Sequence, residues 1–330
     1  MNAMHTRNRV FSLLALLLAL CLAFPAFAEE GGLEGVELEE VSIEDLAPQE
    51  ETLVSNPLPI DFTGGFLPLP EGYKGETVYE DPTIRVEINY RDVTDLIVGY
   101  RGRDAGAWIV DIRIGDASQL RTAAAESFKT NRTDSVVNIA SRVNAVVAFN
   151  GDYSGRQDDG LIFRQGTLFK DKLRGKRDVL LIDEDGDLHP LHTPKKGEFT
   201  DVINGKKVIN AFCFGPILVE NGEIPEKMNN FTFLKPNEHY ARIALCQVGP
   251  LHYKVILTTM EQSYTLGLQI PAFAKLCQEE GAITAFNLDG GNSTTLYFNG
   301  DRVNTQYKVN FRDVPDIFYF ASAWNGGTAE

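Results

Sequence analysis

One stretch, Phe286-Asn287-Leu288-Asp289-Gly290-Gly291-Asn292-Ser293-Thr294-Thr295, constrains this chain more than any other: a hydrophobic strand runs straight into a carboxylate, two glycines and a cluster of hydroxyls. Ala285, Phe286 and Leu288 supply strand-forming bulk. Gly290 and Gly291 let the backbone turn sharply and approach a ligand with no Cβ in the way. Asp289 is thereby presented at a strand's end, on the kind of loop that carries catalysis. The same residues also suit a hairpin turn in which Asp289 and Ser293 only satisfy local amides. Taken alone, the stretch leaves both readings open.

Strand and helix signals alternate along the rest of the domain without an internal repeat. Thr83 to Tyr90 alternates apolar and polar residues. In Ala107 to Ile114, Trp108, Val110, Ile112 and Ile114 share one face while Asp111 and Arg113 share the other, so both segments are predicted strands. Ser135 is placed to cap a short helix in which Val136, Ile139, Ala140 and Val143 recur at helical spacing, leading into a strand from Ala145 to Phe149. A second helix is predicted from Pro271, at a first helical position, to a Gly281 stop, with Phe273, Leu276 and Cys277 inward; it feeds the Asp289 strand. Val179 to Leu191, Gly215 to Glu223 and Lys254 to Thr265 read as hairpins around turn residues. These signals predict an α+β fold, a single domain with a mixed β-sheet flanked by helices.

The N-terminus predicts a compartment. Arg7 and Arg9 precede an apolar run from Phe11 to Phe24, and Ala26-Phe27-Ala28 ends it with small residues at the cleavage-determining positions, so residues 1–28 read as a secretory signal peptide. The run is shorter than the roughly 20 apolar residues that span a bilayer, and Leu20 is too bulky for the lipid attachment that Cys21 invites. No stable membrane anchor is expected. Cleavage after Ala28 removes two arginines and no acid, so the formal charge of -15 becomes -17. An acidic chain of this kind lacks the basic footprint of a nucleic-acid binder. Residues 29–75 read as a linker, acidic to Glu51 and Pro/Gly-rich after it, with Ile60, Phe62, Phe66 and Leu67 available to strap onto a domain at 76–330.

Cysteine, histidine and acidic residues give no cofactor pattern. Cys213, Cys246 and Cys277 survive processing without CxxC spacing and read as small buried hydrophobes, with one disulfide between some pair left open. Asp183-Glu184-Asp185-Gly186-Asp187 resembles a calcium loop superficially, but no bidentate glutamate follows, and a hairpin with an Asp-Gly turn fits better. His189, His192, His239 and His252 are scattered with no zinc spacing, and there is no GxxxxGK phosphate loop. No metal or cofactor is expected, and no pattern specifies an oligomeric state.

Asn287-Leu288-Asp289-Gly290-Gly291-Asn292-Ser293-Thr294, followed by Leu296-Tyr297-Phe298-Asn299-Gly300, resembles the signature of the phosphodiester glycosidase family. Family-like segments precede it in the expected order: Ala148-Phe149-Asn150-Gly151-Asp152-Tyr153, then Phe214 to Gly222, then Ala241-Arg242-Ile243-Ala244-Leu245. The resemblance covers about residues 80 to 325. It departs from the family where Asn292 replaces a third glycine and where Ala241-Arg242-Ile243 replaces a Pro-Arg-Thr-like run, positions that bear on substrate more than on fold.

The resemblance implies hydrolysis of the bond between a sugar's anomeric carbon and a phosphate oxygen. Phosphate leaves readily, so such a reaction needs less general-acid help than ordinary glycoside hydrolysis, but it still needs a carboxylate to activate water or to stabilise oxocarbenium charge. Asp289 is the first candidate and Asp152, just after Asn150-Gly151, the second; a turn aspartate capping amides is the plain alternative for Asp152. Arg242 is the expected phosphate ligand, because guanidinium grips two phosphate oxygens in a fixed fork. Ser293 and Thr294 offer hydroxyls, Gly151, Gly290 and Gly291 offer close backbone approach, and Asn150 suits a sugar hydroxyl or acetamido group. The implied partner is a sugar-phosphate or glycan of the cell envelope or the extracellular space. A non-catalytic glycan-binding module and a glycosidase acting on phosphate-free polysaccharide are the competing readings.

Overall fold

The computed structural model describes residues 53–60, 67–97, 99–153, 158–231 and 234–326. The signal peptide, the acidic part of the linker, Phe62 and Phe66 lie outside them.

The short, turn-punctuated apolar runs become strands, and 43% of the described residues are strand or isolated bridge. An eight-stranded sheet runs in the order Tyr73–Lys74, Val78–Asp81, Ile84–Asp92, Gly106–Ile114, His252–Thr259, Arg242–Gly249, Thr284–Asn287, Ile217–Val219. A second sheet is built on Leu188–Leu191, Asp178–Asp183, Lys206–Phe214, Gly160–Arg164 and Thr167–Lys172, with Val202–Ile203 added at Lys206–Phe214. The third runs Asp301–Arg302, Leu296–Phe298, Ala145–Asn150, Asp316–Ala321, Leu120–Ala124.

Every pairing between these strands is antiparallel, which corrects the expectation of a mixed sheet. A helical crossover is present, His252–Thr259 to Thr284–Asn287 through the helix Ile270–Glu279, but Arg242–Gly249 lies between the two parallel strands it joins and pairs antiparallel with both. The described residues hold two α-helices, Val136–Arg142 and Ile270–Glu279. The α+β expectation therefore overstated the helices, and the fold is mostly β.

Both helices form where the sequence placed them. Ser135 caps the first, its hydroxyl accepting the Asn138 N–H at 3.1 Å. The second has Pro271 in its first turn, buries Phe273, Leu276 and Cys277, and meets Gly281 at φ +84°. The Val179 to Leu191 hairpin also forms, with Leu188 opposite Ile182. Two other hairpins are corrected. His252–Thr259 turns back through Gly249 and Leu251 onto Arg242–Gly249, so that hairpin lies one strand earlier than Lys254 to Thr265. Within Gly215 to Glu223, Ile217–Val219 pairs with Thr284–Asn287, and only the bridge Glu220 to Glu223 is local.

One apolar core joins the three sheets, with Val110 and Val255 from the first, Leu180 and Phe212 from the second, and Phe149 and Phe318 from the third. Phe149 and Phe318 stack at 5.0 Å between centroids, a contact worth about 0.5–1.5 kcal/mol beyond its area. Residues 53–60 and 67–70, assigned to the linker by composition, pack against the domain: Leu58 and Leu67 are buried, the Arg121 guanidinium donates to the Pro59 carbonyl, and the Asn144 amide to that of Leu67. The described residues, from 53 to 326, belong to one compact unit. Cys213, Cys246 and Cys277 are buried free thiols. Among the described residues, no helix is long and apolar enough to cross a membrane.

Candidate active site

The Asp289 loop is held from two sheets. Thr284–Asn287 pairs with Arg242–Gly249, and the ladder continues past its end as the Leu288 N–H donates to the Ile243 carbonyl at 2.9 Å and the Gly291 N–H to that of Ala241 at 2.8 Å. From the third sheet, Asn150 donates its side-chain N–H to the Asp289 carbonyl at 2.7 Å and accepts the Thr295 N–H at 3.1 Å. Gly290 lies so close to the neighbouring strand that a Cβ there would stand 2.5 Å from the Ala241 carbonyl oxygen. Gly290→Ala should therefore destabilise the protein by about 1–3 kcal/mol through overpacking. Thermal unfolding checks this, with a fall of several degrees expected at roughly 2–4 °C per kcal/mol; an unchanged midpoint would contradict it.

Asp289, Gly290 and Gly291 open onto a cavity of about 720 Å³. Its walls carry five cations, Arg174, Arg177, Lys235, Arg242 and Arg312, against three carboxylates, Asp158, Asp159 and Asp289. Tyr153, Phe214 and Tyr240 supply aromatic surface. In a chain of formal charge -15, this local excess of positive charge attracts anions. The Asp289 side chain is 13% exposed, and the nearest Arg312 nitrogen lies 3.7 Å from its carboxylate, beyond hydrogen-bond length.

Arg242 lines this cavity, but its fork is largely committed to the main chain. Its guanidinium donates to the carbonyls of Leu268, Leu234, Lys235 and Glu238 at 3.1, 2.8, 2.9 and 3.1 Å. Burial pulls its pKa down to about 10, which leaves it cationic at neutral pH. Arg242 thus braces the turn that presents Lys235.

Arg177 is the better-placed anion ligand. It is 8% exposed, its Nη1 is buried with no hydrogen-bond partner among the described residues, and its Nη2 stands 3.6 Å from Asp159. A buried donor without a partner costs about 1–3 kcal/mol, and the residue that carries it lines the cavity. The sequence hid this residue, because Gly175-Lys176-Arg177-Asp178 reads as a solvated charged turn.

Asp152 is not brought to the cavity, which corrects its reading as a substrate-facing carboxylate. It is fully buried, with Oδ1 3.0 Å from Arg164 Nη2 and Oδ2 accepting the Cys213 N–H at 2.6 Å. Arg164 also holds Asp316 through Nε and Nη2 at 3.1 and 2.9 Å. Burial works to lower the Arg164 pKa, but the charges of Asp152 and Asp316 outweigh it and the net direction is up. Burial pushes Asp316 up to about 6. The triad ties the third sheet to the second directly behind Asn150 and Gly151. Ser293 and Thr294 are fully buried, and their hydroxyls have no hydrogen-bond partner among the described residues; neither lines the cavity. The Gly151 N–H donates to the Asp316 carbonyl at 3.0 Å, so Gly151 serves the scaffold.

The sequence profile of the phosphodiester glycosidase family matches residues 143–321. An SPbeta prophage-derived uncharacterized protein of Bacillus subtilis (strain 168), YomE, is 27% identical over 183 residues, 54% of this chain; the match spans 28% of that relative's length. Among solved structures, the catalytic domain of zebrafish N-acetylglucosamine-1-phosphodiester alpha-N-acetylglucosaminidase, auto-inhibited by its pro-peptide, superposes with a TM-score of 0.60 at 17% identity, over 78% of this chain and 87% of that one. A hypothetical protein from Synechocystis reaches a TM-score of 0.47 at 15% identity, over 74% of this chain and 64% of that one. At 17% identity the zebrafish superposition speaks to the fold alone.

Proposed function

The chain belongs to the phosphodiester glycosidase family, and from that premise we propose that it hydrolyses the bond between a sugar's anomeric carbon and a phosphate oxygen in a sugar phosphodiester. The observation that carries the reading is the cationic cavity at Asp289, with Arg174, Arg177, Lys235, Arg242 and Arg312 on its walls. Phosphate gathers negative charge as the glycosidic bond breaks, and fixed guanidinium groups stabilise that charge more in the transition state than in the ground state. Arg177 and Arg174 take the phosphate. Asp289 activates water or stabilises the sugar's developing positive charge, and Asp159 is the second carboxylate on the wall. Tyr153 and Tyr240 offer faces for the sugar ring. Asn150, Gly151, Gly290, Gly291, Ser293 and Thr294 shape the loop, with Asp152 and Arg242 as buttresses. The substrate belongs to a cell-envelope or extracellular glycan, reached after export and removal of residues 1–28, which leaves a linker ahead of the catalytic domain.

The test uses protein beginning at Glu29 and an N-acetylglucosamine phosphodiester, the sugar being suggested by the name of the zebrafish relative. Release of N-acetylglucosamine is expected; tight binding without release would turn the reading to a glycan-binding module. Arg177→Gln should weaken inhibition by N-acetylglucosamine 1-phosphate by about 10-fold or more, since a charge-assisted hydrogen bond is worth roughly 1.5–3 kcal/mol. Unchanged inhibition constants would remove Arg177 from the phosphate site.

A further inference from the structure

A second cavity, of about 560 Å³, adjoins the first through Arg312, which lines both. Its wall is formed by Thr305, Gln306 and residues 309–313 of an irregular segment, with Thr295, Arg302 and, from the start of the first helix, residues 135–137. The charged lining is Arg302 and Asp313 together with Arg312, the cation it shares with the first cavity, and Thr305, Gln306 and Asn310 add hydroxyl and amide groups of the kind that recognise sugar hydroxyls. The Arg302 guanidinium lies 3.9 Å over the Phe311 ring, which holds its flexible stem in place and leaves its edge for a ligand.

This wall is also bonded to the catalytic loop. The Gln306 side chain donates to the Gly291 carbonyl at 2.9 Å, and the Arg312 N–H donates to the Asn292 carbonyl at 2.8 Å. A ligand filling the second cavity therefore rests on the same segment that braces Asp289. A cationic cavity continued by a polar one that adds Arg302 and shares Arg312 fits a repeating anionic saccharide better than a single small diester, whose one phosphate the first cavity already satisfies.

We propose that the second cavity is a subsite for a further glycosyl phosphate unit, so that the preferred substrate is an oligomer or polymer of glycosyl phosphates. This rests on the hydrolase reading for the first cavity, but its test reads binding and does not need turnover. The probes are synthetic N-acetylglucosamine 1-phosphate oligomers of one and four repeats, titrated calorimetrically into the Asp289→Asn protein. The four-repeat probe should bind at least tenfold more tightly than the single unit. Arg302→Ala, at an exposed position, should abolish most of that gain while leaving single-unit affinity unchanged; Asn310→Ala, read in the same way, guards against a folding defect in the first variant. Equal affinity for both lengths, or a length gain that survives both substitutions, would overturn the proposal. Length-dependent binding to a wild-type protein that hydrolyses neither probe would sink the hydrolase reading and leave the subsite standing.

Discussion

Asp289→Asn is expected to lower turnover of a sugar phosphodiester by roughly 10²–10⁴-fold, the range that a positioned proton-transfer group contributes, with little change in thermal stability. The substitution keeps the shape of the side chain and removes its charge and basicity. Main-chain atoms, Asn150 and Gln306 hold the loop: the Asp289 carbonyl accepts from Asn150, the Gly291 carbonyl from Gln306, and the Leu288 and Gly291 amides donate to the neighbouring strand. The Arg312 contact at 3.7 Å is long and Arg312 is 39% exposed, so losing it costs little. The loss should fall on kcat, because phosphate binding depends on cations elsewhere in the cavity. Wild-type rates in the variant would move the chemistry to Asp159; a large loss confined to KM would make Asp289 a binding group.

The parts of this architecture legible in the sequence are those written in local periodicity. The alternation of Trp108, Val110, Ile112 and Ile114, the Ser135 cap and the Pro271 to Gly281 helix all rest on neighbours a few residues apart. The turn at Asp289 was legible for a related reason: a strand ending in Asp-Gly-Gly announces its own geometry. What failed was long-range. Whether the sheet is parallel or antiparallel depends on which strands meet, and the partners of Ile217–Val219 lie almost seventy residues downstream. Arg177 reaches the cavity only because Asp178–Asp183 joins a sheet with Lys206–Phe214 and Gly160–Arg164. Asp152 misled for the converse reason. Its glycine-flanked position reads as a ligand-facing turn, whereas its charge is met by Arg164 twelve residues on, in another sheet. A carboxylate's role depends on whether its counter-charge comes from the protein or from the ligand, and that is decided by tertiary neighbours.

Arg164→Met should be the most destabilising single change in this region. Arg164, Asp152 and Asp316 are essentially buried, and the guanidinium faces both carboxylates while also donating to the Phe163 and Ala211 carbonyls. Removing one partner of a buried ionic cluster leaves uncompensated charge and costs about 3–5 kcal/mol, which at roughly 2–4 °C per kcal/mol lowers the midpoint by about 10 °C. The pH dependence separates this mechanism from simple loss of packing. Asp316 is raised by burial to about 6 from an ordinary 3.8, so between those values the folded state holds more proton than the unfolded state. The associated stability is present below about pH 4 and lost as pH rises through about 6. Arg164 holds the Asp316 pKa down, so without it Asp316 favours protonation more strongly, and the penalty should be small at pH 4 and grow toward pH 7. Urea unfolding of both proteins at the two pH values measures this. A penalty of equal size at pH 4 and pH 7 would mean that Arg164 contributes volume, and that the charges around Asp152 were never balanced through it.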